Sequence, residues 1–189
     1  MLFTETEIPR VFIIDIEPHH DERGFFARSW CDEEASAFGI QLGTRQCNIS
    51  YNAARGTLRG MHYQAAPFEE AKLIRCTAGA IWDVAVDIRP ESATFGRHIG
   101  VELTATNRRM LYVPEGCAHG FLTLANETEV CYQMSTPFAP GQGRGFRWND
   151  ARFRIEWPQA PSVISERDRT YPDFQTPAAD AAVPKRERS

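Results

Sequence analysis

Short segments rich in β-branched and aromatic residues, separated by turn-forming residues, recur along the chain and constrain it most strongly. They are Val11–Ile16, Gly24–Trp30, Thr57–Gln64, Lys72–Thr77, Ile81–Ile88, His98–Leu103, Arg109–Val113, His119–Leu124, Glu129–Ser135 and Phe146–Trp148. This spacing predicts an all-β sandwich or barrel. Only Asp32–Phe38 has a helical pattern, with Asp32 as its N-cap and Gly39 as its C-cap. Without a βαβ rhythm or a Gly-rich phosphate loop, a doubly wound nucleotide fold is excluded.

Within Ile81–Ile88, alternation sets Trp82, Val84, Val86 and Ile88 on one face, and Ile81, Asp83, Ala85 and Asp87 on the other. Lys72, Ile74 and Cys76 likewise share a face. Charged side chains thus project from strands that otherwise look core-forming. An antiparallel barrel with a partly polar interior accommodates them, because such barrels enclose ligand cavities.

At 189 residues, and roughly 150 residues per domain, one domain is expected. It spans residues 1–174, followed by an Ala-, Pro- and charge-rich tail over 175–189 that is expected to be flexible. The formal charge of −4 argues against a general nucleic-acid binder, which needs surplus cations for phosphates. No apolar run approaches the ~18 residues of a membrane span. The opening MLFTETEIPR lacks the basic-then-apolar order of a signal peptide. Five cysteines, none in a Cys-x-x-Cys pair, fit small buried apolar groups in a reducing compartment, so a cytoplasmic setting is expected. The chain uses Arg almost everywhere. Its two lysines are Lys72 and Lys185, so Lys72 is the sole lysine outside the tail.

Two islands concentrate functional side chains: RGTLRGMHYQ (Arg55–Gln64) and VPEGCAHGF (Val113–Phe121). The second resembles the Pro-x-Gly-x-x-His signature of the cupin double-stranded β-helix. The usual His-x-His of metal cupins stands here as His62-Tyr63-Gln64, and an amide is a poorer transition-metal ligand than an imidazole. His62, Gln64, Glu69 or Glu70, and His119 form a weak alternative donor set.

With DERGFF (Asp21–Phe26), QCNIS (Gln46–Ser50), the segment Ala71–Gly96, Tyr132 of CYQ, WND (Trp148–Asp150), EWP (Glu156–Pro158) and SERD (Ser165–Asp168) added, the chain resembles the dTDP-4-dehydrorhamnose 3,5-epimerase family. The likeness extends over roughly residues 8–174. It implies a cupin jelly-roll barrel with few short helices, no cofactor, and a nucleotide-linked 4-keto-6-deoxyhexose inverted at C3 and C5. A 4-keto group acidifies the C3 and C5 protons, so inversion needs a base on one ring face, an acid on the other, and a donor at the enolate oxygen.

By this resemblance His62 is the base, Asp168 orients it, Lys72 stabilises the O4 enolate and Tyr132 is the opposite-face acid. Asp83 is a second acidic candidate beside His62, through its inward strand position. Arg23 and Arg59 suit the diphosphate. Gln46 and Asn48 match positions near the nucleotide, His119 one near the sugar and phosphate, and Phe25 an aromatic packing role. Arg167 stands where the family has Lys. The likeness also implies a homodimer with an exchanged N-terminal strand, which would carry Arg23 and Phe25 to the partner's pocket.

Regular alternation points Arg59 and His62 to opposite faces, so Gly60 is expected to host a bulge that re-aims one of them. Arg28 and Gly143 occupy positions where the family has Glu, and both changes fall at the nucleoside end. The reaction type is therefore better supported than the base. Three competing expectations remain: inversion at C3 or C5 alone, a metal-dependent cupin on the donor set above, and a non-catalytic sugar-binding cupin.

Overall fold

The computed structural model describes residues 1–176; from residue 177 on, the expected tail lies outside the described residues. The elements run β1 (Leu2–Glu5), β2 (Phe12–Asp15), β3 (His19–Asp21), β4 (Gly24–Phe26), α1 (Asp32–Ser36), β5 (Gln46–Asn52), β6 (Thr57–Gln64), β7 (Lys72–Ala78), β8 (Ala80–Asp87), β9 (His98–Thr104), β10 (Met110–Val113), β11 (Cys117–Thr123), β12 (Thr128–Met134), β13 (Gly143–Gly145), β14 (Val163–Ile164) and α2 (Glu166–Thr170). The first large sheet has the order β1-β2-β10-β7-β12-β5, and the second β13-β6-β11-β8-β9, with β14 added beside β6. β3 and β4 form a separate hairpin. This two-sheet jelly roll is the all-β architecture expected from the strand spacing, in the cupin form that the resemblance implies.

One core lies between the sheets. Ile74 and Cys76 of β7, Leu111 and Val113 of β10 and Val130 of β12 meet Ile81 and Ala85 of β8 and Phe121 of β11. The outer faces are covered too. Phe12, Ile14, Leu73, Met110 and Tyr112 pack under Ala35, Ile40 and Leu42, while Val84, Val86 and Ala118 pack under Phe146, Phe153 and Phe174. Both faces of β8 are therefore apolar, and the carboxyls of Asp83 and Asp87 stand on its inner face, each fully buried. The alternation in the sequence placed these side chains correctly.

The helix ends two residues earlier than expected, at Ser36. Cys31 holds the N-cap position without a side-chain bond, and Asp32 instead accepts from Trp30 Nε1 at 2.7 Å. Three acidic residues in the first turn complement the helix dipole. Ala37 is the C-cap residue. Gly39, at φ +72°, closes the end: its N–H reaches Ser36 O and that of Ile40 reaches Ala35 O, the 5→2 and 6→1 bonds of a Schellman motif.

Phe146–Trp148 is not a strand. The short pairing lies just before it, at β13, and Phe146 instead fills the outer apolar cluster. Gly24–Trp30 is extended only to Phe26. Among the described residues no helix is long and apolar enough to cross a membrane.

Candidate active site

A cavity of about 570 Å³, within the range of small-molecule sites, opens between the two sheets. Its walls carry His62 and Arg59 from β6, His119 and Phe121 from β11, Lys72 from β7, Tyr132 and Met134 from β12, Asn48 and Ser50 from β5, and Arg167 and Asp168 from α2.

A local irregularity of β6 brings Arg59 and His62 to the same cavity. Opposite β11, His119 pairs with His62 and Phe121 with Arg59. Three steps along β6 thus match two along β11, and the extra residue is the expected bulge. Gly60 sits inside it at φ +137°, and a Cβ there would lie 2.6 Å from Gly120 Cα. Glycine is required on both counts. The Arg59 guanidinium is tethered by its Nε to Asn52 Oδ1 at 2.7 Å.

His62 Nε2 lies 2.8 Å from Asp168 Oδ1, and the Gly60 N–H donates to Asp168 Oδ2 at 3.2 Å. Asp168 occupies the first turn of α2, where its N–H is capped by the Ser165 hydroxyl oxygen at 3.1 Å. Ser165-x-x-Asp168 is a capping sequence that could have announced this short helix. Burial pushes the Asp168 carboxyl up, but the bond and charge of His62, the Gly60 N–H and Arg167 together hold it below the usual carboxylate range. An ionised Asp168 accepting from Nε2 fixes the tautomer that leaves Nδ1 with a lone pair. The His62 side chain is 38 % exposed, which leaves the ring accessible from the cavity.

Tyr132 faces this pair from the other sheet. Its ring packs edge-on against His119 at 6.0 Å and joins the inter-sheet core. Burial and the Asp83 charge push the phenol up, against smaller opposing effects of a Ser50 hydrogen bond and Arg59. It is held as a protonated donor.

Asp83 does not serve His62. It lies 2.7 Å from His119 Nε2, because β8 and β11 are adjacent strands whereas β6 lies on the far side of β11. A second imidazole–carboxylate pair therefore stands at the cavity, His119 in its wall and the fully buried Asp83 behind it, and the expectation for Asp83 is corrected accordingly.

The remaining candidates divide. Asn48 lines the cavity, donating to Met134 Sδ at 3.1 Å. Gln46 stands just behind it, donating to Asn48 Oδ1 at 3.0 Å and accepting from the Phe138 N–H at 2.9 Å. Arg167 and Gly143 line the cavity, with the Arg167 Nε donating to Tyr171 Oη at 2.6 Å. Arg23 and Phe25 do not line it. They sit on the exposed β3–β4 hairpin, Arg23 paired with Asp21 at 2.5 Å and Phe25 beneath Arg108 at 4.6 Å. Arg28 is paired with Glu34, also outside the cavity.

Sequence reasoning missed Tyr63, Arg144 and Phe138 in the wall. It also gave Glu70 no role beyond a metal donor, whereas Glu70 Oε1 lies 2.9 Å from Lys72 Nζ. His62, His119 and Gln64 of that donor set are engaged as well. Gln64 donates to Phe68 O and accepts from the Ala139 N–H. Among the described residues no group of three or more His, Cys, Asp or Glu side chains is gathered as a metal site.

A cavity with an oriented imidazole, an ammonium and a buried phenol has the equipment to move protons at a carbon acid. The family profile described as dTDP-4-dehydrorhamnose 3,5-epimerase matches residues 5–176. The dTDP-4-dehydrorhamnose 3,5-epimerase of Shigella flexneri is 43 % identical over 165 residues, covering 87 % of this chain and 91 % of that protein. A crystal structure of the Bacillus anthracis enzyme of the same name, with TDP and pyrophosphate bound, superposes with a TM-score of 0.88 at 37 % identity, covering 92 % of this chain and 99 % of that one. That of a Legionella pneumophila dTDP-6-deoxy-D-glucose-3,5-epimerase, in complex with dTDP-4-keto-L-rhamnose, gives 0.83 at 33 % identity, covering 92 % and 98 %.

Fold, cavity and likeness together define a carbohydrate epimerase built on the cupin barrel. The chain belongs to the dTDP-4-dehydrorhamnose 3,5-epimerase family.

Proposed function

We propose that the chain inverts C3 and C5 of a dTDP-linked 4-keto-6-deoxy sugar, converting dTDP-4-dehydro-6-deoxy-D-glucose to dTDP-4-dehydro-L-rhamnose. The observation that carries this reading is the opposition of His62 and Tyr132, which project from different sheets into one cavity.

His62 Nδ1 takes the proton from the carbon next to the ketone. The C–H electron pair forms the C=C bond of the enolate, and the carbonyl π pair moves onto O4. The Lys72 ammonium donates to that oxygen as its charge grows, a compact donor suited to a single atom. Tyr132 then delivers its proton to the carbon from the opposite face, while the enolate collapses to the ketone. Exchange with water returns His62 and Tyr132 to their starting states, and the sequence repeats at the second carbon. Removal of the base or the acid is expected to reduce turnover about 10²–10⁴-fold, and truncation of Lys72 about 10²–10³-fold.

The substrate class follows from charge. Arg59, Arg144, Arg167 and Lys72 outnumber Glu70 and Asp168 in the wall, and guanidinium groups match the oxygens of a diphosphate. The homodimer belongs to the same proposal. Because β1 pairs with β2 of its own chain, the segment available to reach a second copy is the β3–β4 hairpin, which leaves Phe26 78 % exposed. Apolar exposure of this kind suits an interface. Arg23 and Phe25 would then act on the partner's cavity.

Incubation of the purified chain with the 4-keto-6-deoxyglucose nucleotide in D₂O tests the reading. Deuterium is expected at both C3 and C5 of the product. Label at one carbon alone would reassign the chain as a mono-epimerase, and label at neither would overturn the proposal.

A further inference from the structure

One acidic side chain in the cavity wall has no part in the steps above. Glu70 lies two residues ahead of Lys72 and is 7 % exposed, as is Lys72 itself. Its Oε1 lies 2.9 Å from Lys72 Nζ. The other contact of that ammonium is the His62 carbonyl, at the outer limit of 3.5 Å. Glu70 Oε2 is buried without a hydrogen-bond partner. The backbone around it is fixed on both sides: the Ala71 N–H donates to Ser135 Oγ at 2.8 Å, and the Thr136 hydroxyl donates to Glu69 O at 2.9 Å.

Stability does not account for a carboxylate here. An unsatisfied buried oxygen is unfavourable, and a buried ion pair is often no better for folding than an uncharged replacement of similar volume. The lysine does account for it. An ammonium on a flexible four-carbon stem, otherwise held only by a long bond, would sample several rotamers within the cavity. A fixed carboxylate 2.9 Å away restricts it to one.

We propose that Glu70 is the positioning residue for Lys72, holding its ammonium where the enolate oxygen forms. The inference depends on the role given to Lys72 above, and the test separates the two. Turnover of the nucleotide-linked 4-keto sugar is measured for the full chain and for Glu70→Gln, Glu70→Asp, Lys72→Ala and Glu70→Gln/Lys72→Ala. Misplacing a donor by about 1 Å costs up to about 100-fold, so Glu70→Gln is expected to lower kcat about 10–100-fold while KM changes less than about twofold. Glu70→Asp, which keeps the charge, is expected to recover part of the loss. Once Lys72 is gone, Glu70→Gln is expected to cost nothing further.

An unchanged kcat in Glu70→Gln, or an equal loss with and without Lys72, overturns the inference. Lys72→Ala turning over as fast as the parent overturns the Lys72 assignment instead. If Glu70→Gln does not fold, Glu70→Asp is carried through the same comparison: loss confined to the Lys72 background supports the inference, and loss independent of Lys72 overturns it.

Discussion

Asp87 shows how a single carboxylate can fix the end of a strand. It is fully buried, yet it accepts from Arg89 Nε at 2.8 Å and from the Ser92 and Thr94 hydroxyls at 2.6 Å each. Burial pushes its carboxyl up, and these bonds more than reverse the effect, bringing it down to about 2 from the ordinary 3.8. A depressed carboxylate stabilises the fold fully above its unfolded value, and that contribution disappears as pH falls through the folded one. The gap corresponds to about 2 kcal/mol. Asp87→Asn is therefore expected to lower Tm at pH 7 by about 4–8 °C. The difference from the parent should close as pH falls from 3.8 to about 2. Thermal melts across that interval check this, and a pH-independent difference contradicts it. Asp168 is depressed in the same direction by His62 and Gly60 despite its burial, so acidification below the carboxylate range also releases the partner of His62.

Among the elements, β6 carries the most function per residue, and its geometry hinges on one glycine. With Gly60 at φ +137° and Gly120 Cα 2.6 Å from any Cβ, Gly60→Ala meets backbone rather than a side chain that can turn away. Strain at such a position costs of order 1–3 kcal/mol. The variant is expected to melt lower and to lose turnover through displacement of His62 or Arg59. A variant with parental Tm and kcat would contradict this account of the bulge.

The bounds of β6 were legible from its run of strand-forming residues between turns, and the inner face of β8 because period-2 alternation sets Asp83 and Asp87 on the same side as Ile81 and Ala85. β5 was not legible as a strand. Its half-buried residues Asn48 and Ser50 are polar and border the cavity, while Cys47, Ile49 and Tyr51 are exposed, so the usual apolar-in, polar-out pattern is absent. The partner of His119 was hidden for another reason. Which carboxylate meets which imidazole depends on strand order, and a single sequence does not state that order. The Glu70–Lys72 pair was hidden likewise, since its meeting depends on rotamers in a folded wall.

At the scale of the whole molecule, the site is an arrangement between sheets. The base and its aspartate come from the β6 side, and the phenol and ammonium from β12 and β7, so closing the jelly roll is what assembles them. The expected dimer extends this logic, since the β3–β4 hairpin does not line its own chain's cavity. Diluted below its dissociation constant, the chain is expected to lose nearly all activity, checked by light scattering with a parallel assay; a fully active monomer contradicts that. The central claim, a base and an acid on opposite ring faces, is tested most directly by following exchange and inversion separately in D₂O. Tyr132→Phe is expected to retain deuterium uptake beside the ketone while inversion falls about 10²–10⁴-fold, and His62→Ala is expected to lose both. Unimpaired inversion in Tyr132→Phe, or uptake persisting at the parental rate in His62→Ala, would contradict it.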